Sequence, residues 1–368
     1  MLKLFLYPFS AIYGIIVYFR NRLYDFKLLK SVGFEEAVIS IGNITVGGTG
    51  KTPHTEYLAG LLKETFRVAT LSRGYKRKTK GFSLVEPGST ASEVGDEPVQ
   101  IKNKFPEITV AVCENRVEGV RRLLNSEPEN APDVIILDDA FQHRRITPGI
   151  NILLVDYNRP IKKEMLLPAG RLREGAVQMR RANIIIITKC PEELTPIIRR
   201  ILRKNVFLKP YQSIYFTTFK YGQLKPVFSG NEATRPINER KDCGILLVTG
   251  IASPAGVKKY LGKLSNNIEE LKFHDHHQYS EKDIDTIMKK FNSIDVKNKL
   301  IVTTEKDAVR FRDIKNLNSE FKSVLYSLPV EVAFLDKEGA LFNQKILNYV
   351  GENKSNLSLH KRKGKVHP

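Results

Sequence analysis

Cysteine is scarce in this chain, and its scarcity excludes two kinds of small scaffold. The 368 residues include three cysteines, namely Cys113, Cys190 and Cys243. They are too few and too widely separated for a disulfide framework or a zinc site. We expect them to be small buried hydrophobic residues of a protein that works in a reducing compartment.

Acidic residues are outnumbered as well: 40 Asp and Glu stand against 59 Lys and Arg, for a formal net charge of +19. Such an excess indicates anionic partners, which can be nucleic acid, an acidic membrane surface or a phosphorylated substrate. The chain has no zinc knuckle, helix-turn-helix or aromatic RNA-binding pattern, so a nucleic-acid-binding ATPase rests on charge alone and we expect no nucleic-acid partner.

The N-terminal segment, residues 1–30, lacks the small-residue cleavage site of a secretory signal, although residues 1–19 are almost continuously apolar. Lys3, Pro8, Ser10 and Gly14 interrupt the run, which makes it marginal for a full span of about 20 residues. Basic residues follow from Arg20 to Lys30. We interpret the segment as an anchor lying in or dipping into a cytoplasmic leaflet. A helix packed on the protein's own core is the alternative.

A glycine-rich turn between Ala37 and Leu62 has the form of a phosphate-binding loop. An apolar run ends at Ile41, and a predicted helix restarts behind the turn. In such loops the backbone N–H groups and the helix N-terminus face phosphate oxygens, the lysine reaches the β and γ phosphates, and a hydroxyl ligates magnesium. Thr45 occupies the place of the usual first glycine, and a flexible turn with a solvated lysine is the alternative. The predicted nucleotide contacts are Gly47, Gly48, Thr49, Gly50, Lys51, Thr52 and Pro53.

Short apolar runs alternate with longer amphipathic ones between residues 37 and 189, which predicts βαβ units and a mostly parallel sheet. The fold class is therefore α/β, of the P-loop kinase type with helices on both faces of the sheet. The predicted strands are Ala37–Ile41, Val68–Leu71, Thr109–Val112, Val134–Leu137, Ile152–Val155 and Ile184–Ile187.

Two carboxylates, Asp138 and Asp139, follow the buried run from Val134 to Leu137. Alone, such a pair is equally typical of a turn or a helix cap. Beside a phosphate loop it resembles a Walker B strand, and we expect Mg2+ to be held by Thr52, Asp138 and Asp139. Which aspartate touches the ion directly stays open.

Two other kinds of P-loop protein lack support. The guanine-binding aspartate of an N-K-x-D motif is missing from the stretch Thr188 to Pro191, which favours ATP over GTP. Dimeric membrane ATPases of the cell-division type carry an extra lysine before the double glycine, where this chain has Val46. Arginines recur after the strands, and because arginine grips phosphate in a bidentate manner we expect an anion-lined crevice. Those after the strands include Arg73, Arg116 and Arg171.

Seven motifs occur in an order that resembles the tetraacyldisaccharide 4'-kinase family, the lipid A 4'-kinases of Gram-negative inner membranes. They lie at residues 40–53, 71–75, 94–98, 138–143, 167–174, 273–277 and 303–308. The resemblance implies transfer of the γ-phosphoryl of ATP to the 4'-hydroxyl of a tetraacylated glucosamine disaccharide 1-phosphate, at the cytoplasmic face of the inner membrane. Where a family glycine is expected after Tyr75, this chain has Lys76.

The resemblance also implies roles for individual residues. Asp96 matches the base that receives the sugar proton, with a histidine of the 274–277 stretch beside it, and we choose His276 over His274 and His277. Lys51 completes the catalytic set. The residues expected to contact the phosphate or lipid of the substrate are Arg73, Arg116, Gln142 and Arg171.

The remaining chain predicts a second, smaller α/β unit. We divide the sequence into the N-terminal segment 1–30, a P-loop ATP-binding domain 31–210, a β linker 211–230, a lid domain 231–350 and a basic disordered tail 351–368. A lid would bring His276 toward Asp96 on closing. We expect a monomer. A membrane-attached P-loop ATPase switch is the alternative function.

Overall fold

A computed structural model describes residues 2–127, 129–228 and 243–363. Its strands are β1 (Ala37–Asn43), β2 (Val68–Ser72), β3 (Ser83–Leu84), β4 (Thr109–Val112), β5 (Val134–Leu137), β6 (Ile150–Asp156), β7 (Ile184–Thr188), β8 (Ser213–Tyr221), β9 (Lys225–Pro226), β10 (Gly244–Thr249), β11 (Asn267–Lys272), β12 (Lys299–Thr304), β13 (Leu325–Leu328) and β14 (Val330–Phe334). Its helices are α1 (Leu2–Asp25), α2 (Lys51–Lys63), α3 (Ala91–Val94), α4 (Asp96–Lys104), α5 (Arg116–Leu124), α6 (Pro196–Asn205), α7 (Ala255–Leu261), α8 (Glu281–Asn292), α9 (Glu305–Arg312), α10 (Ser319–Val324) and α11 (Glu338–Lys363), with short 3-10 turns at Ile161–Lys163 and Ala176–Arg181.

The larger sheet has the order β14-β8-β7-β6-β1-β5-β2-β4-β3. Its strands are parallel except at the two edges, where β14 and β3 run antiparallel to their neighbours. The α/β prediction is confirmed, and all six predicted strands are present. Since β1 and β5 are parallel neighbours, the glycine loop after β1 and the aspartate pair after β5 emerge at the same edge of the sheet.

Helices cover both faces of this sheet because its strands alternate apolar side chains between two cores. On one face Ile184 and Ile186 pack with Leu58 of α2 and Phe342 of α11. On the other face Ile185 and Ile187 pack with Leu202 of α6. Buried strands of a parallel sheet read as nearly continuous apolar runs for this reason.

The smaller sheet has the order β11-β10-β12-β13-β9. Two details differ from the predicted domain division. Strand β8, which we had assigned to the linker, pairs in parallel with β7 as an integral strand of the larger sheet. Strand β14 also returns from the second unit to that sheet, so the chain crosses between the two units twice. The predicted boundary between residues 230 and 231 lies outside the described residues.

The C-terminal tail is a correction. Composition predicted disorder from residue 351, but α11 continues to Lys363. Helix propagation from a packed segment explains the difference, since Phe342, Ile346 and Val350 are fully buried and no proline interrupts the following turns. Residues 364–368 lie outside the described part.

Helix α1 leaves most of its apolar side chains in solvent. Phe5, Phe9, Ile12, Ile16 and Phe19 are each more than half exposed. Its inner side is attached to the larger unit, because Tyr13 donates to the Arg173 carbonyl at 2.8 Å and Arg20 pairs with the buried Glu174 at 3.2 Å. In the described residues, no helix meets the length and apolarity needed to cross a bilayer.

Candidate active site

The glycine turn after β1 is held in place by hydrogen bonds from residues of β1 and β7. Asn43 donates to the Thr49 hydroxyl at 2.8 Å, and Thr188 of β7 donates to the Thr49 carbonyl at 2.9 Å. Gly50 has a φ of 91°, and a Cβ there would lie 2.6 Å from the Phe219 ring, so only glycine fits without strain. Thr45, in the place of the usual first glycine, forms an antiparallel bridge with Leu172, a position where a β-branched residue is at ease.

Lys51 begins α2 beside the aspartate pair, with its Nζ 3.6 Å from Asp139. Asp138 is buried and accepts from the Thr55 hydroxyl at 3.0 Å through Oδ1, whereas its Oδ2 has no hydrogen-bond partner. Burial and the nearby carboxylates of Glu97 and Asp139 raise the pKa of Asp138 to about 7. Asp139 differs: burial opposes its ionisation, but the charges of Lys51 and Arg173 hold its pKa below the usual value, so a bound cation would chiefly favour the ionised form of Asp138.

The residues fit a magnesium ion. Among the described residues, no cluster of three His, Cys, Asp or Glu side chains could hold a metal. Mg2+ does not require one, because it takes one or two carboxylates and completes its shell with water and phosphate oxygens. The unpartnered Oδ2 of Asp138 is the atom that such a shell would use.

Asp96 lies at the start of α4 and lines the same cleft as Lys51. Its Oδ2 accepts from His276 Nδ1 at 3.1 Å and from Arg310 Nε at 3.1 Å, with a second, shorter contact from Arg310 Nη2. Lys306 Nζ lies 3.8 Å from the same oxygen. Burial alone would raise the pKa of Asp96, but the His276 hydrogen bond and the charges of Lys306 and Arg310 hold it well below its usual range.

The second oxygen of Asp96 is much less occupied. Oδ1 accepts one bond, from the Glu97 backbone N–H at 2.9 Å. His276, Lys306 and Arg310 thus converge on Oδ2, which leaves lone-pair capacity on Oδ1 for another donor.

The structure brings His276 to Asp96 and leaves the other two histidines elsewhere. His277 contacts Asp283 at 3.1 Å and His274 at 3.2 Å, away from the base. Lys76, in the place of the expected glycine, has a φ of 61° and donates to the His276 carbonyl at 3.4 Å. A left-handed backbone here explains why glycine would suit this position.

The four residues predicted to contact the substrate lie in different environments. Arg73 is exposed and lines the cleft. Gln142 also lines it, and donates to the Asn43 carbonyl at 2.6 Å. Arg116 reaches the cleft wall but is buried, donating to the carbonyls of Cys113 at 2.9 Å and Asp138 at 3.2 Å.

Arg171 is not brought into this set. It is exposed and lies outside the cleft lining, where its carbonyl accepts from Val46 N–H at 2.8 Å. Arg173, two residues on, lines the cleft and lies 3.3 Å from Asp139 and 3.4 Å from the Gln142 side-chain oxygen.

Arg310 is the functional candidate that the sequence did not reveal. It sits four residues after Lys306 on α9, so both side chains share one helix face. That spacing is the only local signal for the pair. Their target, Asp96, is 214 residues away from Arg310 in the chain.

One cleft of about 1700 Å³ lies between the two sheets, and it is lined by the phosphate loop, Asp96, Asp138, Asp139, His276 and Lys306. A phosphate loop, a carboxylate pair beside it and a third carboxylate in the same cleft define a P-loop protein of the kinase type. The profile of the tetraacyldisaccharide-1-P 4'-kinase family matches residues 2–350, and the chain belongs to that family.

Individual relatives agree. The tetraacyldisaccharide 4'-kinase of Phocaeicola vulgatus is 50% identical over 351 residues, covering 95% of this chain and 96% of its own. That of Bacteroides thetaiotaomicron is 48% identical over 364 residues, covering 97% and 96%. Among solved structures, LpxK from Aquifex aeolicus in complex with ATP has a TM-score of 0.73 and 31% identity, covering 95% of this chain and 99% of that one.

Proposed function

We propose that this chain transfers the γ-phosphoryl of ATP to the 4'-hydroxyl of a tetraacylated glucosamine disaccharide 1-phosphate, giving lipid IVA. The observation that carries the proposal is the position of Asp96. Asp96 lines the same cleft as Lys51 and the aspartate pair, and its Oδ1 accepts a single backbone hydrogen bond, so a hydroxyl held at Asp96 can meet a phosphate held at the loop.

The reaction follows from this arrangement. The sugar 4'-oxygen attacks the γ-phosphorus, the bond between that phosphorus and the β,γ-bridging oxygen breaks, and ADP leaves with the bond's electron pair. The hydroxyl proton passes to Asp96. Phosphoryl transfer has a loose transition state, so positioning and charge neutralisation contribute more than a strong base does. A carboxylate with a depressed pKa suits that role because it stays ionised and orients the hydroxyl.

The nucleotide side of the cleft supplies the neutralisation. The turn Gly47 to Pro53 would hold the phosphates through backbone N–H groups, and Lys51 would reach the γ-phosphoryl. Thr52, Asp138 and Asp139 would hold Mg2+, which when bound neutralises charge on the phosphate oxygens. Arg173 fixes Asp139 from the far side at 3.3 Å.

Arg310 acts in this scheme as a positioning residue. Its guanidinium occupies Oδ2 of Asp96 through two nitrogens while Nη1 binds Asp307 at 2.7 Å and the Gly250 carbonyl at 3.0 Å. The carboxylate is thereby held in one rotamer with Oδ1 directed to the sugar. His276 and Arg310 come from the smaller unit, so Asp96 has these partners only while that unit packs against α4.

The lipid side of the cleft includes α1. Tyr13, Val17 and Arg20 line the same cavity as the phosphate loop, while the opposite side of the helix exposes its apolar residues. An interfacial helix of this kind would place the enzyme at the cytoplasmic surface of the inner membrane, with the acyl chains entering along α1. A monomer suffices, since one chain contributes every group named.

A coupled assay tests the proposal. Purified protein is given ATP, Mg2+ and the acylated disaccharide 1-phosphate in mixed micelles, and ADP and labelled lipid are measured together. We expect ADP release to depend on the lipid and to equal lipid labelling. ADP release without lipid, or lipid-stimulated release without label, would refute the kinase and support the ATPase switch.

A further inference from the structure

Helix α6 carries an unusual outer surface. Ile197 is 72% exposed and Ile201 51% exposed, and Arg200 and Lys204 share their face at helical spacing. No residue of α6 is buried, although the helix is only 10 residues long. Large aliphatic side chains that alternate with cations on a solvent-facing stripe are typical of interfacial helices.

The orientation of α6 is fixed by its inner side. Arg199 pairs with Glu338 at 3.1 Å and with Asp336 at 2.5 Å, and lies 4.8 Å above the Phe216 ring. Leu202 packs into the core below β7. These contacts mean that Ile197 and Ile201 point outward in a defined geometry and cannot be buried by rotation of the helix.

The chain after α6 extends the same surface. Phe207 is 60% exposed with Lys162 4.6 Å from its ring, and Tyr211 is 60% exposed with its hydroxyl donating to the Arg180 carbonyl at 2.7 Å. Arg180 in turn pairs with Asp25 of α1 at 2.7 Å. We define the α6 patch as Ile197, Arg200, Ile201, Lys204, Phe207 and Tyr211.

The patch lies on the same face of the larger sheet as α1. Leu166 packs in the core that also receives Leu202, and its side chain lies directly against Gly14 of α1. Helix α11 covers the opposite face, through Phe342. The α6 patch and α1 therefore lie on one side of the larger sheet, and α11 lies on the other.

We propose that the α6 patch binds an anionic phospholipid surface as a second contact beside α1. Charge complementarity selects this occupant: Arg200 and Lys204 flank the isoleucines, and Lys162 accompanies Phe207. The nearby acidic groups, the exposed Asp336 and the partly buried Glu338, are both paired with Arg199. Glu192 and Glu193 stand before the helix, outside the stripe. The inference rests on the proposed membrane location, and two contacts would hold the cleft at a set angle to the lipid.

The chain contains no tryptophan, so single tryptophans report membrane contact directly. Full-length Ile201→Trp and Phe207→Trp proteins are mixed with vesicles of phosphatidylcholine and phosphatidylglycerol whose acyl chains carry bromine. We expect a blue shift and quenching at both positions, weakened by salt or by vesicles without phosphatidylglycerol. The matched control is Leu341→Trp on α11, where the native leucine side chain is 68% exposed. The fluorescence of this variant should stay unquenched.

Phe9→Trp on α1 distinguishes membrane binding through α1 from the additional contact through the α6 patch. Quenching at residue 9 without quenching at residues 201 and 207 overturns the α6 contact while leaving membrane binding intact. A blue shift at residue 201 that depends on protein concentration and needs no lipid would show that a second copy covers the patch, which also overturns it. Kinase activity is measured in mixed micelles with the same protein preparations, so a failure of the proposed function is detected separately.

A second variant measures the contribution to binding. Ile197→Ser with Ile201→Ser removes the two exposed apolar side chains, and we expect a loss of vesicle affinity on the order of tenfold. Leu341→Ser should bind as the unmodified protein does. Equal affinity of the double variant and the unmodified protein would contradict the proposal.

Discussion

Replacement of Arg310 by glutamine tests how Asp96 is prepared for catalysis. The substitution removes both guanidinium contacts to Oδ2 and leaves the His276 bond at 3.1 Å and Lys306 at 3.8 Å. A hydrogen bond to a charged group contributes about 1.5–3 kcal/mol. If that energy orients the base, kcat/KM for the lipid should fall about 10- to 150-fold, whereas the KM for ATP stays nearly constant.

The pH profile distinguishes a positioning role from a structural one. In the unmodified protein the His276 hydrogen bond and the charges of Lys306 and Arg310 hold the pKa of Asp96 well below its usual range, so the proposed base is ionised throughout the neutral region. Burial raises the pKa of a carboxyl group, and without Arg310 less positive charge opposes that effect at Asp96. The acid limb of kcat/KM should therefore move to higher pH in Arg310→Gln. Arg310→Lys keeps the charge and should shift the limb less.

Two controls accompany this experiment. Arg310 also pairs with the fully buried Asp307, so thermal unfolding is recorded to verify that the variant folds. Arg312→Gln makes the same chemical change on the same helix, where the side chain contacts the Val227 carbonyl at 2.9 Å. A folded Arg310→Gln protein with an unshifted profile and unreduced kcat/KM would refute the reasoning.

Three further predictions follow from the same geometry. Asp96→Asn should reduce turnover by orders of magnitude with near-normal ATP binding, and retained turnover would remove Asp96 as the base. Lys51→Ala should lower lipid labelling from radioactive ATP about a hundredfold or more, and an unreduced rate would argue against the phosphate loop. His54 is buried between the Gly50 carbonyl and the Thr217 hydroxyl, and burial lowers its pKa to about 4 from 6.5. The unfolded chain therefore binds the extra proton between about pH 6.5 and 4, and stability should fall as the pH drops through that window, by about 3 kcal/mol in all. His54→Asn keeps a donor for Gly50 and should flatten this slope in unfolding scans. An unchanged slope would assign the acid sensitivity to another group.

The candidate base illustrates a tension between position and basicity. A histidine hydrogen bond and two cationic side chains on one carboxylate oxygen make Asp96 a weak proton acceptor. In a loose transition state the hydroxyl becomes acidic only as the new bond forms, so a weak but well-oriented acceptor is sufficient.

Local sequence patterns were enough to predict the nucleotide-binding side of the cleft. The glycine turn, Lys51 and the aspartate pair follow directly after apolar runs, and consecutive parallel strands end at one edge of a sheet. Strand content, the parallel order and the proximity of Lys51 to Asp139 could therefore be expected from short-range signals. The choice of His276 among three histidines came from the family resemblance, and the contact at 3.1 Å agrees with it.

Tertiary packing decided the rest. Arg116 and Arg171 looked equivalent as arginines after strands, yet one is buried against strand-end carbonyls and the other faces solvent outside the cleft. Arg310 meets Asp96 only because the smaller sheet packs over α4, and strand β8 joins the larger sheet only because β7 offers it an edge. The sequence by itself determined which groups could hold phosphate and magnesium, because backbone period and turn chemistry are local. The partners of the base depend on contacts between residues more than 150 positions apart, and only the folded chain sets those distances.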